Sequence, residues 1–337
     1  MMRLALIGCG NMGGALVRGL QLQAARVSVA GAADLDIEKA RAAAGSFEGA
    51  RAVTDYHALL PDVDAVLIAL PHHLHHAVGM ECLRAGKHVF MEKPLANSER
   101  ECLDLIEAAE ARSRTLMVGY CMRYHPIVRR LKELLDGRAY GEPFQVSIWT
   151  EQHTWAPPGH WMLSARTLGG GQLFSHGCHY IDLLLWFLGR PVKGVHFGTN
   201  YGTPWMEKEG TSNVCIQFES GALGYHFGTW GAKGTRLGYS IHAHCTEGML
   251  DAQLTAGRLV AHTGKGEALL MEAEPGKHVH NELAHFADCV ETGRRPETDG
   301  PGSLQGLRVI WRLYEAEERG VVSDLRGCGL DERSNPP

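Results

Sequence analysis

The chain has 337 residues, of which 45% are hydrophobic and 21% charged, and its formal net charge is −5. This length suits two domains, each able to bury its own core. The acidic balance, with no long run of either sign, argues against nucleic acid or an anionic membrane as a partner, because both require a concentrated basic surface. No run of about 18 apolar residues occurs, so we expect no membrane span.

Strand-like and helix-like segments alternate over the first 120 or so residues. The predicted strands are 4–7, 27–32, 65–70, 88–91 and 116–119, and the predicted helices are 12–22, 37–44, 74–85 and 98–112. Residues 65–70 are apolar without interruption, as in a strand of a parallel sheet that is covered on both faces. This alternation predicts a doubly wound α/β domain over residues 1–122.

A different pattern follows residue 122. One more helix is predicted at 126–135, and strands separated by glycine turns are predicted at 144–150, 195–199, 212–218, 223–230, 239–243, 249–252, 258–262 and 268–272. The pattern predicts an α+β domain over residues 123–326 with an open, mostly antiparallel sheet. We expect helices at about 177–188 and 281–292 within this domain, a last helix at about 303–319 against either domain, and a flexible tail at 327–337.

The nine cysteines are scattered and include no CxxC pair. An odd number at irregular spacing is typical of reduced thiols in the cytosol rather than of a disulfide framework. The apolar N-terminus is short and runs into a glycine loop instead of a cleavage site, which predicts a strand rather than a signal peptide. We therefore expect a cytoplasmic protein.

A glycine-rich loop lies between the first predicted strand and the first predicted helix. Its residues are Gly8-Cys9-Gly10-Asn11-Met12-Gly13. Gly8 allows a tight turn, Gly10 lets the backbone approach a pyrophosphate, and Gly13 lets the helix pack close to the strand. The N-terminus of the helix presents N–H groups and the positive end of its dipole to phosphates. Strand, GxGxxG and helix in this order predict a dinucleotide site that includes Asn11 and Met12.

The preferred cofactor depends on Asp34, which ends the second predicted strand 21 residues after Gly13. A carboxylate there accepts hydrogen bonds from the ribose hydroxyls of NAD and repels the 2′-phosphate of NADP. No arginine follows, since residue 35 is leucine, and we expect NAD rather than NADP. Asp36 is an alternative ribose ligand, although its position is more typical of a helix N-cap.

Further segments follow the glycine loop in an order shared with a known family. They are Pro71 with His75, AGKHVFMEKPLA at residues 85–96, the triplet at residues 169–171, and His179-Tyr180-Ile181-Asp182. With them the chain resembles the glucose–fructose oxidoreductase / inositol dehydrogenase / rhizopine catabolism protein (Gfo/Idh/MocA) family over nearly its whole length. The segment at 85–96 is the most specific part of the resemblance.

The resemblance implies a Rossmann domain followed by a domain built on an open, mostly antiparallel sheet. It also implies NAD(P) as cofactor and a sugar, sugar nucleotide or cyclitol as substrate. A homodimer or homotetramer formed through the outer face of the second sheet is expected as well. Near the cofactor, the resemblance places Pro71, His75, Glu92 and Lys93.

Two residues, Lys93 and His179, are predicted to be catalytic. Oxidation of a carbinol requires a base for the hydroxyl proton and a nicotinamide for the hydride. Lys93 follows a predicted parallel strand, where the ligands of such sheets collect. The matching lysine of the family bonds the reacting oxygen, and its bond to the next proline is often cis. His179 matches the general base of the family, and histidine is the usual acid/base at physiological pH.

The segment before His179 departs from the family pattern. Family members commonly carry aspartate four residues before this histidine, where this chain has Ser175 followed by His176. If the segment is helical, Ser175, His179 and Asp182 share one face, and Asp182 orients His179 or bonds a substrate hydroxyl. Serine bonds a hydroxyl but holds no charge at neutral pH. Either His176 or another residue compensates, or the proton transfer differs.

Three more residues are candidates for binding substrate. Arg123 matches an arginine that often follows the sixth Rossmann strand in the family, where it shapes the pocket or binds an anion. His153 and Trp161 lie in a stretch that borders the substrate in the family, and imidazole and aromatic groups suit the hydroxyls and C–H faces of a sugar. The spacing of the histidines indicates no metal site.

The leading functional hypothesis is an NAD-dependent oxidoreductase acting on a secondary hydroxyl or ketone of a sugar, glycoside or cyclitol. One alternative is redox-assisted glycoside cleavage, in which oxidation, elimination and reduction follow one another. A second alternative is a non-catalytic cofactor-binding sensor or scaffold. The serine at position 175 permits it, whereas the presence of both Lys93 and His179 argues against it.

Overall fold

The computed structural model describes residues 1–332, which form two compact units. Unit 1 comprises Met1–Tyr124 and His278–Ser303, and unit 2 comprises His125–Lys277 and the chain from Leu304 onward. Residues 333–337 of the predicted tail lie outside the described residues. No helix among the described residues has the length and apolar character that a membrane crossing requires.

The described chain contains 15 strands and nine α-helices. The strands are β1 (Met2–Ile7), β2 (Val27–Ala33), β3 (Arg51–Val53), β4 (Ala65–Ile68), β5 (His88–Glu92), β6 (Leu116–Gly119), β7 (Pro143–Glu151), β8 (Pro191–Thr199), β9 (Thr211–Phe218), β10 (Leu223–Thr229), β11 (Tyr239–Cys245), β12 (Gly248–Gln253), β13 (Arg258–Thr263), β14 (Gly266–Glu272) and β15 (Ser323–Asp324). The helices are α1 (Asn11–Gln21), α2 (Ile37–Ala44), α3 (His75–Arg84), α4 (Glu99–Ala111), α5 (Pro126–Asp136), α6 (Ala165–Leu168), α7 (Cys178–Leu188), α8 (Val279–Thr292) and α9 (Gly300–Glu318).

Unit 1 is built on a six-stranded parallel sheet of order β3-β2-β1-β4-β5-β6. The strand order reverses between β1 and β4, and ligands of such sheets bind at the carboxyl ends of the strands beside this point. Strand β4 is fully buried, as the uninterrupted apolar run at 65–70 predicts. The doubly wound α/β domain predicted from the sequence is therefore confirmed.

Helix α8 belongs to unit 1, whereas the sequence pattern places it in the second domain. Gly19 of α1 makes this packing possible, because a Cβ there would lie 2.8 Å from Val279 Cγ2 and 2.9 Å from Leu283 Cδ1. Directly before β2, the guanidinium of Arg26 pairs with Asp288 of α8 at 2.5 Å. The close packing of α8 on α1 depends on contacts more than 250 residues apart, which no local pattern reveals.

Unit 2 is built on a nine-stranded sheet of order β14-β13-β12-β11-β7-β10-β9-β8-β15. Only β7 and β10 pair in parallel, so the sheet is mostly antiparallel, as predicted. Helix α7 is almost entirely buried and packs on β7 and β10. Strand β10 approaches it closely at Gly224, where a Cβ would lie 3.2 Å from Leu184 of α7.

The C-terminal part of the chain differs from its prediction in two respects. Helix α9 begins in unit 1 and continues into unit 2. Residues 327–332, predicted as part of a flexible tail, pack on unit 2: Cys328 and Leu330 are buried, and Asp331 pairs with Arg190 at 2.6 Å. Strands β3 and β15 and helix α6 add to the predicted pattern, since elements of two to four residues carry no periodic signal.

Candidate functional site

Two glycines of the loop after β1 are required by close packing. Gly8 has φ +94°, and its N–H donates to the carbonyl oxygen of Ala33 at 2.8 Å. A Cβ at Gly8 would collide with the carbonyl oxygen of Ala69, and a Cβ at Gly13 would collide with that of Gly8. Gly8 therefore permits the turn beside β4, and Gly13 lets α1 begin against the loop, as the motif predicts.

Gly10 has the opposite surroundings. It is the N-cap of α1 and has φ −73°, a conformation open to any residue, and a Cβ there would meet no atom within 4 Å. No side chain caps the helix at this end. A glycine kept where there is room for a side chain, beside the positive end of a helix dipole, fits close approach of a pyrophosphate to the backbone. The open backbone at Gly10 therefore fits the binding of a dinucleotide at this loop.

Asp34 joins the end of β2 to the glycine loop. Its Oδ2 accepts the N–H of Cys9 at 2.8 Å, and its Oδ1 accepts the N–H of Asp36 at 3.0 Å. Asp36 itself caps α2, accepting the N–H of Glu38 at 3.1 Å. The capping geometry favours Asp34 over Asp36 as the group at the ribose. Burial and the Asp34 charge raise the pKa of Cys9 to about 12, so this thiol stays protonated at neutral pH.

His75 links the end of β4 to the loop after β5. Its Nδ1 lies 2.8 Å from the carbonyl oxygen of Pro94, and its Nε2 lies 2.9 Å from that of Leu70. The side chain is completely buried, and burial lowers its pKa to about 4. The sequence resemblance places His75 at the cofactor. In the structure both ring nitrogens lie near backbone oxygens, and the neutral ring donates its single N–H to one of them. The place of His75 at the cofactor stays a prediction.

Lys93 and Glu92 occupy the end of β5. Lys93 is half-buried, and its positive charge contributes to the lowered pKa of His75, so the ammonium lies near that ring. The Lys93–Pro94 peptide bond is cis, as the resemblance implies. Glu92 is buried, and a Cβ at Gly119, its partner on β6, would lie 3.1 Å from Glu92 Oε1. Glycine at this position makes room for the carboxylate.

Arg123 lies in the interior of unit 1. It belongs to the turn Cys121–Tyr124 and is 2% exposed. Burial raises the pKa of Tyr124 far above its usual value; the charges of Glu297 and Glu282 add to this increase, and that of Arg123 opposes it. These three charges act on one buried phenol, and the role of Arg123 in binding substrate stays a prediction.

In unit 2, the segment before α7 is not an ordinary α-helix. Residues Leu173–Gly177 form a π-helical turn, and α7 begins at Cys178. The π turn ends at Gly177, so the step from Ser175 to His179 crosses from π-helical to α-helical backbone. The shared face of Ser175 and His179 stays a prediction, and His179 and Asp182 have the i, i+3 relation within α7. Such π turns are frequent at functional sites.

His176 is held by two partners within unit 2. Its Nδ1 accepts from Gln172 Nε2 at 3.3 Å, and its Nε2 lies 3.4 Å from the hydroxyl of Tyr239. The Tyr239 hydroxyl in turn donates to Gln152 Oε1. The set is satisfied when His176 is neutral and its Nε2–H donates to Tyr239. The sequence motifs point to none of Gln152, Gln172 and Tyr239.

The predicted base, His179, is buried in the first turn of α7. Its ring lies edge-on to those of His176 and Tyr180, with centroids 6.1 Å from each. Tyr180 also stacks on His226, with centroids 5.2 Å apart. Asp182, one turn after His179, is likewise buried. Imidazole, phenol and carboxylate groups thus surround the start of α7.

His153 and Trp161 lie in the segment between β7 and α6. His153 is exposed and forms an isolated bridge with Gly231. Trp161 is half-buried and packs against the small apolar cluster of Leu168, Met206 and Trp230. Part of Trp161 is therefore core, while the imidazole of His153 faces solvent. In the part of the chain that the structure describes, no group of three or more His, Cys, Asp or Glu residues is arranged to hold a metal ion.

Comparison with known proteins agrees with this architecture. The class that the fold and the glycine loop define is an NAD-binding oxidoreductase with a Rossmann domain. Residues 2–120 match the family model described as "Oxidoreductase family, NAD-binding Rossmann fold", and residues 128–251 match that of the GFO/IDH/MocA C-terminal domain. The chain belongs to this family.

Relatives include dehydrogenases of cyclitols and sugars. Inositol 2-dehydrogenase 2 of Saccharopolyspora erythraea is 32% identical over 66% of this chain and 65% of its own length, so the match spans just under two thirds of that protein. D-Xylose 1-dehydrogenase (NADP(+)) 2 of Haloferax volcanii is 28% identical over 90% of this chain and 94% of its own. The aldose-aldose oxidoreductase of Caulobacter crescentus, solved with glycerol, has TM-score 0.85 at 25% identity over 96% of this chain and 99% of its own.

Proposed function

We propose that this protein transfers a hydride between NAD and a secondary hydroxyl or ketone of a sugar, glycoside or cyclitol. The observation that carries the proposal is the loop around Gly10, which is open where its neighbouring glycines are tightly packed. The Asp34 carboxylate at the end of β2 favours NAD over NADP. The relatives named above act on inositol and xylose, both polyhydroxylated rings.

Each proposed catalytic residue has a defined place in its own unit. Lys93, at the end of β5, donates a hydrogen bond to the reacting oxygen and stabilises its negative charge. His179, at the start of α7, accepts the hydroxyl proton during oxidation and returns it during reduction. NAD, when bound, supplies the hydride acceptor. The half-buried position of Lys93 supports this role, since partial exclusion of water strengthens its interaction with an oxyanion.

Several predicted binding residues act by positioning others. We propose that His75, packed between the Leu70 and Pro94 carbonyls and donating its single N–H to one of them, positions the two loops that carry Pro71 and Lys93. Pro71, Glu92, Asn11 and Met12 remain candidates for the border of the cofactor. Arg123 stabilises the interior of unit 1, because its guanidinium is buried beside Tyr124.

In unit 2 we propose a substrate surface that recognises hydroxyl groups by uncharged donors and acceptors together with the carboxylate of Asp182. Ser175 replaces a carboxylate of the family pattern, and His176 is engaged by Gln172 and Tyr239. His176 then serves to position its neighbours instead of acting as a second base. His153 and the exposed part of Trp161 extend this surface, and Asp182 bonds a substrate hydroxyl or orients His179. Neutral sugars and cyclitols suit such a surface.

We further propose a homodimer or homotetramer formed through the outer face of the unit 2 sheet. Phe197 on that face is 69% exposed and Leu223 is 41% exposed, and Trp149, Tyr225 and Phe227 pack together beside them. Exposed apolar surface of this kind is typical of subunit contacts. Light scattering on the purified protein gives the oligomeric state.

The nine cysteines without a disulfide support a cytoplasmic location.

The proposed function is tested by mixing the protein with NAD and a panel of sugars, glycosides and cyclitols and following NADH absorbance. Net NADH formation with at least one substrate supports dehydrogenation. Glycoside cleavage without net NADH would favour the redox-assisted alternative. If the protein binds NAD but no substrate of the panel reduces it, even in a single turnover, the scaffold alternative is favoured. The matched variants are Lys93→Met, expected to abolish turnover, and Lys87→Met, expected to retain it, since the Lys87 ammonium bonds the backbone of Val63.

A further inference from the structure

The start of the π-helical turn Leu173–Gly177 is satisfied by residues distant in sequence. The first N–H groups of a helical segment have no partners within it. The N–H of Gly171 and that of Phe174 each donate to the hydroxyl of Tyr314 at 3.2 Å. The acceptor is therefore a side chain of α9, about 140 residues along the chain.

Glu209, just before β9, serves the two remaining N–H groups. Its backbone oxygen accepts from Gln172 at 2.7 Å, and its Oε1 accepts from Leu173 at 3.1 Å. The same Oε1 accepts the hydroxyl proton of Tyr314 at 2.6 Å. Glu209 and Tyr314 thus bind four successive amides, and the next amide, that of Ser175, donates to the Gly171 oxygen at 3.0 Å.

The Glu209–Tyr314 pair is buried and tightly packed. Glu209 is 8% exposed, and a Cβ at Gly171 would collide with its carboxyl group. Burial raises the pKa of Glu209, whereas its hydrogen bonds to Tyr314 and Leu173 lower it. Burial and the adjacent carboxylate raise the pKa of Tyr314 well above its usual value, so the phenol keeps its proton and remains a donor.

No local group replaces this pair, because Gln172, the residue that precedes the turn, makes no capping bond with its side chain. We propose that Glu209 and Tyr314 are positioning residues: they fix the π turn that carries Ser175 and His176 and thereby the orientation of His179 at the start of α7. The proposal rests on the proposed function for its effect on turnover. Its effect on the histidine rings is independent of that function.

The test compares Tyr314→Phe with Tyr225→Phe. Both remove one phenol hydroxyl in unit 2, but that of Tyr225 on β10 bonds Asn213 on the neighbouring strand β9 and makes no contact with the π turn in the hydrogen bonds of the described residues. Tyr314→Phe is expected to lower kcat on the order of tenfold or more, since misplacing a catalytic group by about 1 Å costs up to about 100-fold. The Kd for NAD is expected to stay within about twofold, because that site lies in unit 1, and Tyr225→Phe is expected to leave both values unchanged.

Two readouts separate positioning from mere stabilisation. The NMR signals and pH titration of the ring protons of His176 and His179 are expected to change in Tyr314→Phe and not in Tyr225→Phe. Glu209→Gln keeps an oxygen acceptor for Tyr314 and Leu173 and is expected to retain most turnover, whereas Glu209→Ala is expected to lose it. A lowered melting temperature with unchanged kcat and unchanged histidine signals in Tyr314→Phe would overturn the proposal.

Hydrogen exchange on the unmodified protein provides the check if the variants do not fold. The amides of Gly171, Gln172, Leu173 and Phe174 are expected to exchange slowly and together, and rapid exchange of these four would contradict the proposal. If none of the tested substrates supports reduction of NAD by the unmodified protein, the proposed function fails. The NMR and exchange results still decide whether Glu209 and Tyr314 position the turn.

Discussion

The Oδ2 atom of Asp34 accepts the backbone N–H of Cys9 at 2.8 Å, which ties the end of β2 to the glycine loop. Asp34 therefore shapes the loop, and in the proposed function it also offers a carboxylate to the ribose. The neighbouring Asp36 performs a different task, since it caps α2. The hydrogen bonds of Asp34 and Asp36 thus distinguish the roles of two acidic residues that lie close together in the sequence. Each role can be tested by its own substitution.

Asp34→Asn is expected to weaken NAD binding by about 10- to 100-fold, the equivalent of one charge-assisted hydrogen bond. It should also improve NADP binding relative to NAD, because the charge that repels the 2′-phosphate is removed. The amide oxygen still accepts the N–H of Cys9, whereas the NH2 group cannot accept the N–H of Asp36, so we expect a loss of about 1–3 kcal/mol of stability without loss of the fold. Calorimetric titration with both cofactors measures the change.

Asp36→Ala is the matched control for Asp34→Asn. Loss of the cap is expected to cost about 1 kcal/mol of stability and to leave the NAD-to-NADP preference unchanged. A changed preference in Asp36→Ala, with an unchanged one in Asp34→Asn, would assign the ribose to Asp36.

Gly10→Ala is expected to fold normally and to bind NAD poorly. The added Cβ meets no protein atom within 4 Å, so the free energy of unfolding should change by less than about 1 kcal/mol. The same Cβ occupies the space through which a pyrophosphate reaches the backbone, and we expect the Kd for NAD to rise on the order of tenfold, about 1.4 kcal/mol. Thermal unfolding and titration with NAD measure the two quantities.

Gly13→Ala is expected to show the opposite result to Gly10→Ala: the free energy of unfolding should decrease more than the affinity for NAD. Its Cβ would collide with the Gly8 carbonyl oxygen, and overpacking of this kind costs about 1–3 kcal/mol. If Gly10→Ala instead destabilised the protein while binding NAD with unchanged affinity, the open space at Gly10 would have no connection with the cofactor.

Ser175→Asp restores the carboxylate of the family pattern. A negative charge beside His179 favours the imidazolium and is expected to raise the pKa of the base by about one unit or more. The base must be neutral to accept a proton, so the rising limb of the pH–rate profile should move to higher pH. Ser175→Asn has the same shape without charge and should leave the limb in place. Equal shifts for both variants would show that charge at this position is irrelevant.

His226 makes stability depend on pH in the acidic range. Burial lowers its pKa to about 3, below the value of about 6.5 expected in the unfolded chain. Between these values only the unfolded state binds the proton, so stability falls as pH decreases, by about 1.4 kcal/mol per pH unit. His226→Gln should lose this part of the slope. All seven tryptophans lie in unit 2, so urea unfolding followed by their fluorescence reports the unit that contains His226.

The same measurement between pH 7.5 and 9 is the control for His226, because the neutral imidazole contributes no pH dependence there. The protein and its His226→Gln variant should then give parallel curves. Parallel curves between pH 6.5 and 4 as well would mean that His226 is protonated in the folded state or exposed to solvent.

Local patterns predict much of this molecule. The apolar run ending at Ile68 predicts a buried parallel strand, and the glycines at 8, 10 and 13 predict the turn, the open backbone and the close helix contact that the structure contains. These signals are readable because each depends on neighbours within a few residues. The π turn at Leu173–Gly177 carries no such local signal, because the amides at its start are bound by distant residues.

The sequence by itself determined the fold class, the glycine loop and the order of the family motifs, since these arise from periodicity and from short segments. Only the tertiary structure decided that α8 packs on α1, that both nitrogens of His75 face backbone oxygens, and that Glu209 and Tyr314 hold the π turn. The physical reason is chain separation. A hydrogen bond between Tyr314 and Phe174 spans 140 residues and leaves no period or spacing in the sequence from which it could be inferred.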